Sequence, residues 1–407
     1  MANSVQPTFP EIWAKKMQMT FKKENQAEKF ADTSYSSSLR SGDVLHRQFG
    51  NIDPNGAPGV HVRGADIAES FYTASDETMS IDFQFSTRFF VEKFDEIQSD
   101  ISLAGYYGEQ FGAQMKGQID LTVFGETLNS ASVVDAGDLG GTGGQGISLS
   151  SSNVINVVAA VRKKFKKLNV STDNMKGAIS PEFVEFLTLY GAQRDTSMGD
   201  DVNRRGFFGK FSGVDLYETN NTTGTAVLDM ATQPTNGDVI TLAGQTFTAV
   251  STIGTTAGNY LIGANVDVTR ATLAALINDP ATTSSTQVAL GTATSEVVKL
   301  FAARISAVND NSANTMTVTH KGAGTIVVTE ALTDGTDTWT ATAQKQHCLF
   351  VAGSGPALVV QQTPNVSIVE SEARNGSFAK MTCLFGVNTY SDQAKMMVDV
   401  QLNSSTY

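Results

Sequence analysis

Charge is sparse in this chain, and cysteine, histidine and long apolar runs are rarer still. Its two cysteines, Cys348 and Cys383, fall short of the framework a secreted, disulfide-built fold needs, which implies a reducing compartment or indifference to redox state. The opening residues, MANSVQPTFPEIWAKKMQM, hold no apolar run of the kind a signal peptide carries. No window of about 20 apolar residues exists, so no membrane span is expected. The four histidines (His46, His61, His320 and His347) are scattered, none with a second ligand at metal spacing. His347 and Cys348 are adjacent; in a strand they point to opposite faces and cannot act as base and nucleophile. The acidic pairs Asp95-Glu96 and Asp200-Asp201 fall at helix starts or in loops, where solvation explains them. Hydrolase, metalloprotease, Walker and dinucleotide fingerprints are all missing. The reading is a non-enzyme with no catalytic residue, no metal and no cofactor.

What is present is glycine, serine, threonine and asparagine in abundance, with 17% charged residues over 407 positions. That composition suits a β-rich protein with many turns and not a disordered one. The length allows a sizeable core and two or three domains. A net charge of −12 disfavours non-specific nucleic-acid binding by the surface as a whole, while leaving locally basic faces open.

The chain is organised around Asp95–Leu128. Leu103, Tyr107, Phe111, Met115, Ile119 and Val123 recur at i+4, one apolar stripe along a helix. Asp95, Glu96 and Asp100 load its start, where the helix dipole is positive. About 30 residues would span about 45 Å, a spine. Gly105, Gly108, Gly112, Gly117 and Gly125 interrupt it, each costing about 1 kcal/mol against alanine. Close approach of a sheet or of a neighbouring chain would offset that cost.

Before the spine lies a polar arm with one short amphipathic turn, Phe9, Ile12, Trp13 and Met17. Trp13 needs a surface, either a partner or its own domain. Residues 41–80 are extended and turn-rich: Gly42-Asp43 opens a strand VLHRQF, Asp53-Pro54-Asn55-Gly56 signals a tight turn, and Val60–Arg63 reads as the return strand. So small a hairpin is marginal alone and is read as a projecting loop that docks on a partner. Met79–Phe90 alternates as a strand leading into the spine. Asp135–Gly146, DAGDLGGTGGQG, reads as a flexible linker, since no Gly-Lys-Ser/Thr follows to make it a phosphate cradle. A helix begins at Ser150–Ser152 and presents Arg162, Lys163, Lys164, Lys166 and Lys167 opposite its apolar face. These suit a solvated face near a helix C-terminus, or contact with nucleic acid or an acidic partner. Ser180-Pro181-Glu182 starts a third helix, and Gly213–Glu218 reads as a strand. Residues 232–344 turn Thr-, Ala- and Gly-rich. They read as an inserted, self-contained β-rich domain with hairpins at Gly237–Val250 and Thr315–Thr329 and short helices at Arg270–Ile277 and Ser295–Ser306. Core-strand composition resumes at Cys348.

This order of elements resembles the major capsid (coat) protein of tailed bacteriophages, of the podophage type with an insertion domain. The residues that carry the likeness are MSIDFQFSTRFFVEKFDEIQSDISLAGYYGEQFGAQMKGQID, FFGKFSGVDLYETNN, GDVITLAGQTF and the tail HCLFVAGSGPALVVQQTPNV with FGVNTYSDQAKMMVDVQL. The resemblance implies an α+β fold: N-terminal arm 1–40, extended E-loop 41–80, P-domain strand and spine helix 81–150, first part of the A-domain 151–231, inserted domain 232–344 and closing A/P-domain strands 345–407. It further implies a subunit that assembles with itself into hexamers and pentamers of an icosahedral virion head around double-stranded DNA, bound without sequence specificity. The head would form in the host cytoplasm with a separate scaffolding protein and a portal, and a decoration protein is left open. Trp13, Arg47, His61 and Arg63 are the candidates for contacts between subunits. Residues 42–80 contain no lysine, so assembly is expected to be non-covalent. Two rivals are weighed. A bacterial nanocompartment shell shares the fold but not the inserted domain and long E-loop. A tail-fibre or adhesin module would explain the Thr-rich region but not the spine.

Overall fold

The computed structural model describes residues 26–37, 42–50, 63, 64, 66, 74–94, 103–192, 210–293, 295–322, 324–371 and 374–404. Trp13 and the rest of the arm's amphipathic turn, His61, the turn at 53–56 and the acids Asp95, Glu96, Asp100, Asp200 and Asp201 lie outside them.

A short helix α1 (Ala27–Phe30) precedes a ribbon of β1 (Val44–Gly50) and β2 (Ala74–Ser80), and β3 (Phe83–Glu92) leads to the long helix α2 (Leu103–Gly125). Then come β4 (Ser132–Val134), α3 (Val154–Lys167), β5 (Met175–Ile179), α4 (Pro181–Ala192), β6 (Lys210–Phe211), β7 (Val214–Glu218) and β8 (Thr223–Asp229). The next stretch holds β9 (Val239–Leu242), β10 (Gln245–Val250), β11 (Asn259–Leu261), α5 (Val266–Asn278) and α6 (Glu296–Arg304). It continues through β12 (Ile305–Asp310), β13 (Thr315–His320), β14 (Val328–Ala331) and β15 (Thr338–Trp339). The chain closes with β16 (Lys345–Ala352), β17 (Ala357–Glu370), β18 (Gly376–Asn388), α7 (Ser391–Lys395) and β19 (Met397–Asn403).

Strand β16 is the axis of a ten-stranded sheet. It pairs with β19 along one edge and with β8 and then β5 along the other. Because side chains alternate across a strand, β16 feeds two cores. Cys348, Phe350 and Ala352 face α3 and α4, meeting Val157, Val161, Phe165, Phe183 and Leu187. Leu349 and Val351 face the other way, meeting Phe124 at the end of α2 and Phe30 of α1. Phe165 is wholly buried, worth roughly 1.5–3 kcal/mol over an exposed position. Helix α2 lies on the three-stranded sheet β17-β18-β3, with Met115 and Val123 of its stripe packed against Met381, Cys383 and Phe385.

A second core occupies residues 226–339, centred on Leu228, Ile240, Phe247, Leu273, Met316 and Trp339. It has its own four-stranded sheet, β11-β10-β9-β14. Position 232 falls after β8, yet Ala226, Leu228 and Met230 already belong to this core. Strands β12 and β13 also extend the ten-stranded sheet through β8. The inserted region is continuous with the domain that carries it.

Several local expectations are corrected. The described partner of β1 is β2, Val44 opposite Ser80 through Gly50 opposite Ala74, while Val60–Val62 of the expected return strand lie outside the described residues. Thr315–Thr329 is no hairpin, because β13 pairs with β8 and β12 while β14 pairs with β9 in the other sheet. Helix α3 opens at Asn153, whose side-chain oxygen accepts from Ser150 N at 2.8 Å, and not at Ser150–Ser152. Asp135–Gly146 is a closed loop instead of a flexible linker. The Asp135 carboxylate accepts from Asp138 N and Gly144 N, at 3.3 and 2.6 Å. Gly140 and Gly144 supply the left-handed φ of 90° and 80° the loop requires. Close packing within the chain does not account for all the spine glycines. A methyl group on Gly117 would meet nothing within 4 Å, and one on Gly112 only Met381 at 3.8 Å.

Candidate functional site: the clasps that hold the extended segments

Two described segments, the β1-β2 ribbon and the start of α1, are each tied to the body of the protein by a charged side chain. On the ribbon, period-two alternation puts Leu45, Arg47 and Phe49 on one face of β1. Arg47 reaches α7, where its two terminal nitrogens donate to the two carboxylate oxygens of Asp392, both at 2.5 Å. Its guanidinium also lies 4.8 Å from the Tyr390 ring centre and 6.0 Å from that of Tyr35. A planar fork on a carboxylate, stacked on aromatics, is a geometry lysine cannot reproduce. The Arg47 hydrogen bonds hold the Asp392 carboxyl below its ordinary value, and Asp392 in turn raises that of Arg47. Asn388 Nδ2 donates to Thr78 O at 2.9 Å and Gln361 Nε2 to Gly42 O at 2.6 Å. Met79 and Ile81 seal the base against Ala357, Val359 and Tyr390. Away from this base the ribbon is largely solvent-exposed.

The second clasp sits inside α2. Asp120, 1% exposed, accepts from Gln26 N at 3.0 Å, Ala27 N at 2.8 Å and Asn221 Nδ2 at 3.0 Å. Burial pushes its carboxyl above the ordinary value, and the three donors offset that only in part. One side chain thus joins the spine, the start of α1 and the loop before β8.

Of the four residues expected to touch neighbouring subunits, the structure turns Arg47 inward onto Asp392 and leaves Arg63 exposed in a turn. Trp13 and His61 fall outside the described residues.

A chain that looks catalytic crosses the central sheet. His347 Nδ1 lies 2.8 Å from Asp399 Oδ2, and its Nε2 lies 2.8 Å from Thr225 Oγ1. Hydroxyl, imidazole and carboxylate in a row resemble an activated nucleophile. Here they are 8%, 3% and 2% exposed, so no substrate reaches them, and they act as a polar tie between β8, β16 and β19. Sequence reasoning missed this trio and Asp120 alike, since their partners lie 52 to 122 and 93 to 101 positions away. Among the described residues no group of three or more His, Cys, Asp or Glu could hold a metal ion. No helix among them is long and apolar enough to cross a membrane.

No protein-family model matches the chain, and no curated protein matches it by sequence. Solved structures do. One from Mycobacterium phage Che8 superposes with a TM-score of 0.57 at 12% identity, over 97% of this chain and 98% of that one. The capsid structure of cyanophage P-SCSP1u gives 0.54 at 10% identity, over 98% and 94%. The asymmetric unit of the bacteriophage PhiM1 mature capsid gives 0.50 at 9%, over 97% and 92%. At such identity the likeness is one of fold, and it runs nearly from end to end: this chain has the α+β fold of phage capsid structures.

Proposed function

We propose that the protein is the structural subunit of a tailed-bacteriophage head. It assembles with itself into hexamers and pentamers that close an icosahedral shell around double-stranded DNA. The observation that carries this reading is the near-full-length agreement with phage capsid structures on both chains. Two further features support it. The β1-β2 ribbon is anchored at its base by Arg47 while the rest of it is largely exposed, as a segment that lies on a neighbour would be. Large apolar side chains also stand in water at the end of the three-stranded sheet, Ile368 at 57% and Val369 at 56% exposed, where a neighbouring copy would cover them. The role is geometric and not enzymatic. A separate scaffolding protein and a portal complete the assembly, which takes place in the host cytoplasm and yields a location in the virion. A decoration protein could bind outside the inserted domain. With no lysine in residues 42–80, the shell is held non-covalently, so boiled particles run as monomer on a denaturing gel.

Negative-stain electron microscopy of the purified protein, with and without its co-expressed neighbouring proteins, tests the reading. Closed polyhedral particles are expected, with nuclease-protected DNA in native ones. Monomers or rods under every condition would refute it.

A further inference from the structure

We propose that the cationic face of α3 is a docking surface for the phosphate backbone of duplex nucleic acid; this rests on the shell reading above. Helix α3, VINVVAAVRKKFKK, contains no acidic residue. Its apolar side is pinned: Val154, Val157, Val161 and Phe165 are wholly buried. That rigid seat leaves Arg162, Lys163, Lys166 and Lys167 exposed. At 100° and 1.5 Å per residue these four fall within an arc of about 140° and about 8 Å of helix, a length that meets roughly two or three phosphates of one strand.

The intramolecular neutralisation of this face is partial. Asp138 pairs with Lys164 at 2.8 Å and lies 3.8 Å from Lys163. Arg162, Lys166 and Lys167 have no carboxylate partner among the described residues. An open groove of about 350 Å³ runs along the same side of the helix, lined by Asp138, Leu139, Asn156, Ala159, Ala160 and Lys163. Asn156, Ala159, Ala160 and Lys163 follow i, i+3, i+4, i+7 spacing, so the groove leads directly into the cations. Its floor of small side chains lets a backbone approach closely.

The helix C-terminus favours cations without any ligand, but that effect is confined to the last turn and does not call for Arg162 and Lys163. A protein partner would be anchored on exposed large apolar side chains, and among the described residues none is exposed on α3. A phosphate backbone needs none. On a chain of net charge −12, such contacts are weak for one subunit and add up over a shell through multivalency. They also require α3 to face the lumen.

The test is fluorescence anisotropy of the full chain with a labelled 30-base-pair duplex of random sequence, titrated at about 50 to 200 mM salt. The variant Arg162→Gln/Lys166→Gln/Lys167→Gln keeps good helix formers at exposed positions. The control Lys93→Gln/Lys116→Gln/Lys380→Gln removes the same charge from exposed sites elsewhere. At low salt the α3 variant is expected to bind at least tenfold more weakly than wild type. Its slope of log K against log salt should be shallower by about 2 to 3, while the control stays within about twofold. No duplex binding by wild type, or equal losses in both variants, would overturn the proposal. So would preferential binding of a polyglutamate peptide that the α3 substitutions abolish, since the face would then belong to an acidic protein. Microscopy of the same preparations separates the two readings: shells without DNA affinity reject only this inference, and DNA affinity without shells rejects only the shell.

Discussion

The carboxylate of Asp120, buried in the C-terminal third of α2, accepts a 2.8 Å hydrogen bond from the backbone of Ala27, the first residue of α1. Asp120→Ala strands the N–H groups of Gln26 and Ala27 and the amide of Asn221. Each buried donor left unpaired costs about 1–3 kcal/mol, so with three donors stranded a loss of at least about 3 kcal/mol in chemical denaturation is expected. Asp120→Asn is expected to lose less, because one amide oxygen still accepts while its NH2 group meets a donor. Equal stability of Asp120→Ala and wild type would show that Asp120 does not act as a clasp.

Arg47→Lys tests the ribbon clasp. The loss of the bidentate pair, discounted for its partial exposure, is about 1–2 kcal/mol. It should appear as roughly tenfold faster hydrogen exchange in β1 and β2, with the central sheet unchanged. The same clasp responds to acid. Arg47 depresses the Asp392 carboxyl, so its contribution is complete above the unfolded value of about 3.9. It is lost as the pH falls through the lower folded value. Ribbon protection that declined already between pH 7 and 5 would contradict this.

Cys348 is fully buried, and burial pushes its thiol up to about 12. Since the thiolate is the reactive form, a thiol reagent at pH 8 should leave Cys348 unlabelled in the native protein over hours. Full labelling is expected within minutes in denaturant. Mass spectrometry of the tryptic peptide reads both arms.

Strand β12 ends the ten-stranded sheet, and one side chain covers its free edge at Ala307. Asn278 of α5 donates to Ala307 O and accepts from Ala307 N, both at 2.8 Å. Asn278→Leu opens both groups and bares an edge that templates further pairing. The expected result is a loss of about 1–3 kcal/mol and faster aggregation by light scattering.

Gly117→Ala should stabilise the isolated subunit by up to about 1 kcal/mol, because its methyl group meets nothing within 4 Å. If a neighbouring chain packs there in the shell, the same variant will melt higher as a subunit yet assemble poorly. Normal assembly would leave the glycine without a packing role.

The features legible in the sequence were those encoded over a few residues. The stripe of α2 shows in i+4 spacing, the β9-β10 hairpin in Ala243-Gly244, and α4 in Ser180-Pro181. What escaped depended on register between distant strands. Thr315–Thr329 carries hairpin composition, but Gly322 and Gly324, at φ 75° and 66°, send its halves into different sheets. The linker-like glycines of 135–146 close a loop because Asp135 caps it, and a composition reading gives that one aspartate no weight. Thr225, His347 and Asp399 meet only because β8, β16 and β19 are neighbours. The Arg47 pairing was invisible for the same reason, since its partner Asp392 stands 345 positions later.

Strand β8 bears on how this protein could be re-engineered. It is hydrogen-bonded to β16 on one side and to β13 on the other, so excising residues 232–344 as a cassette would leave a raw seam down the main sheet. Cargo for surface display is better spliced into the Asp310–Thr315 turn, between β12 and β13, where the seam stays stitched.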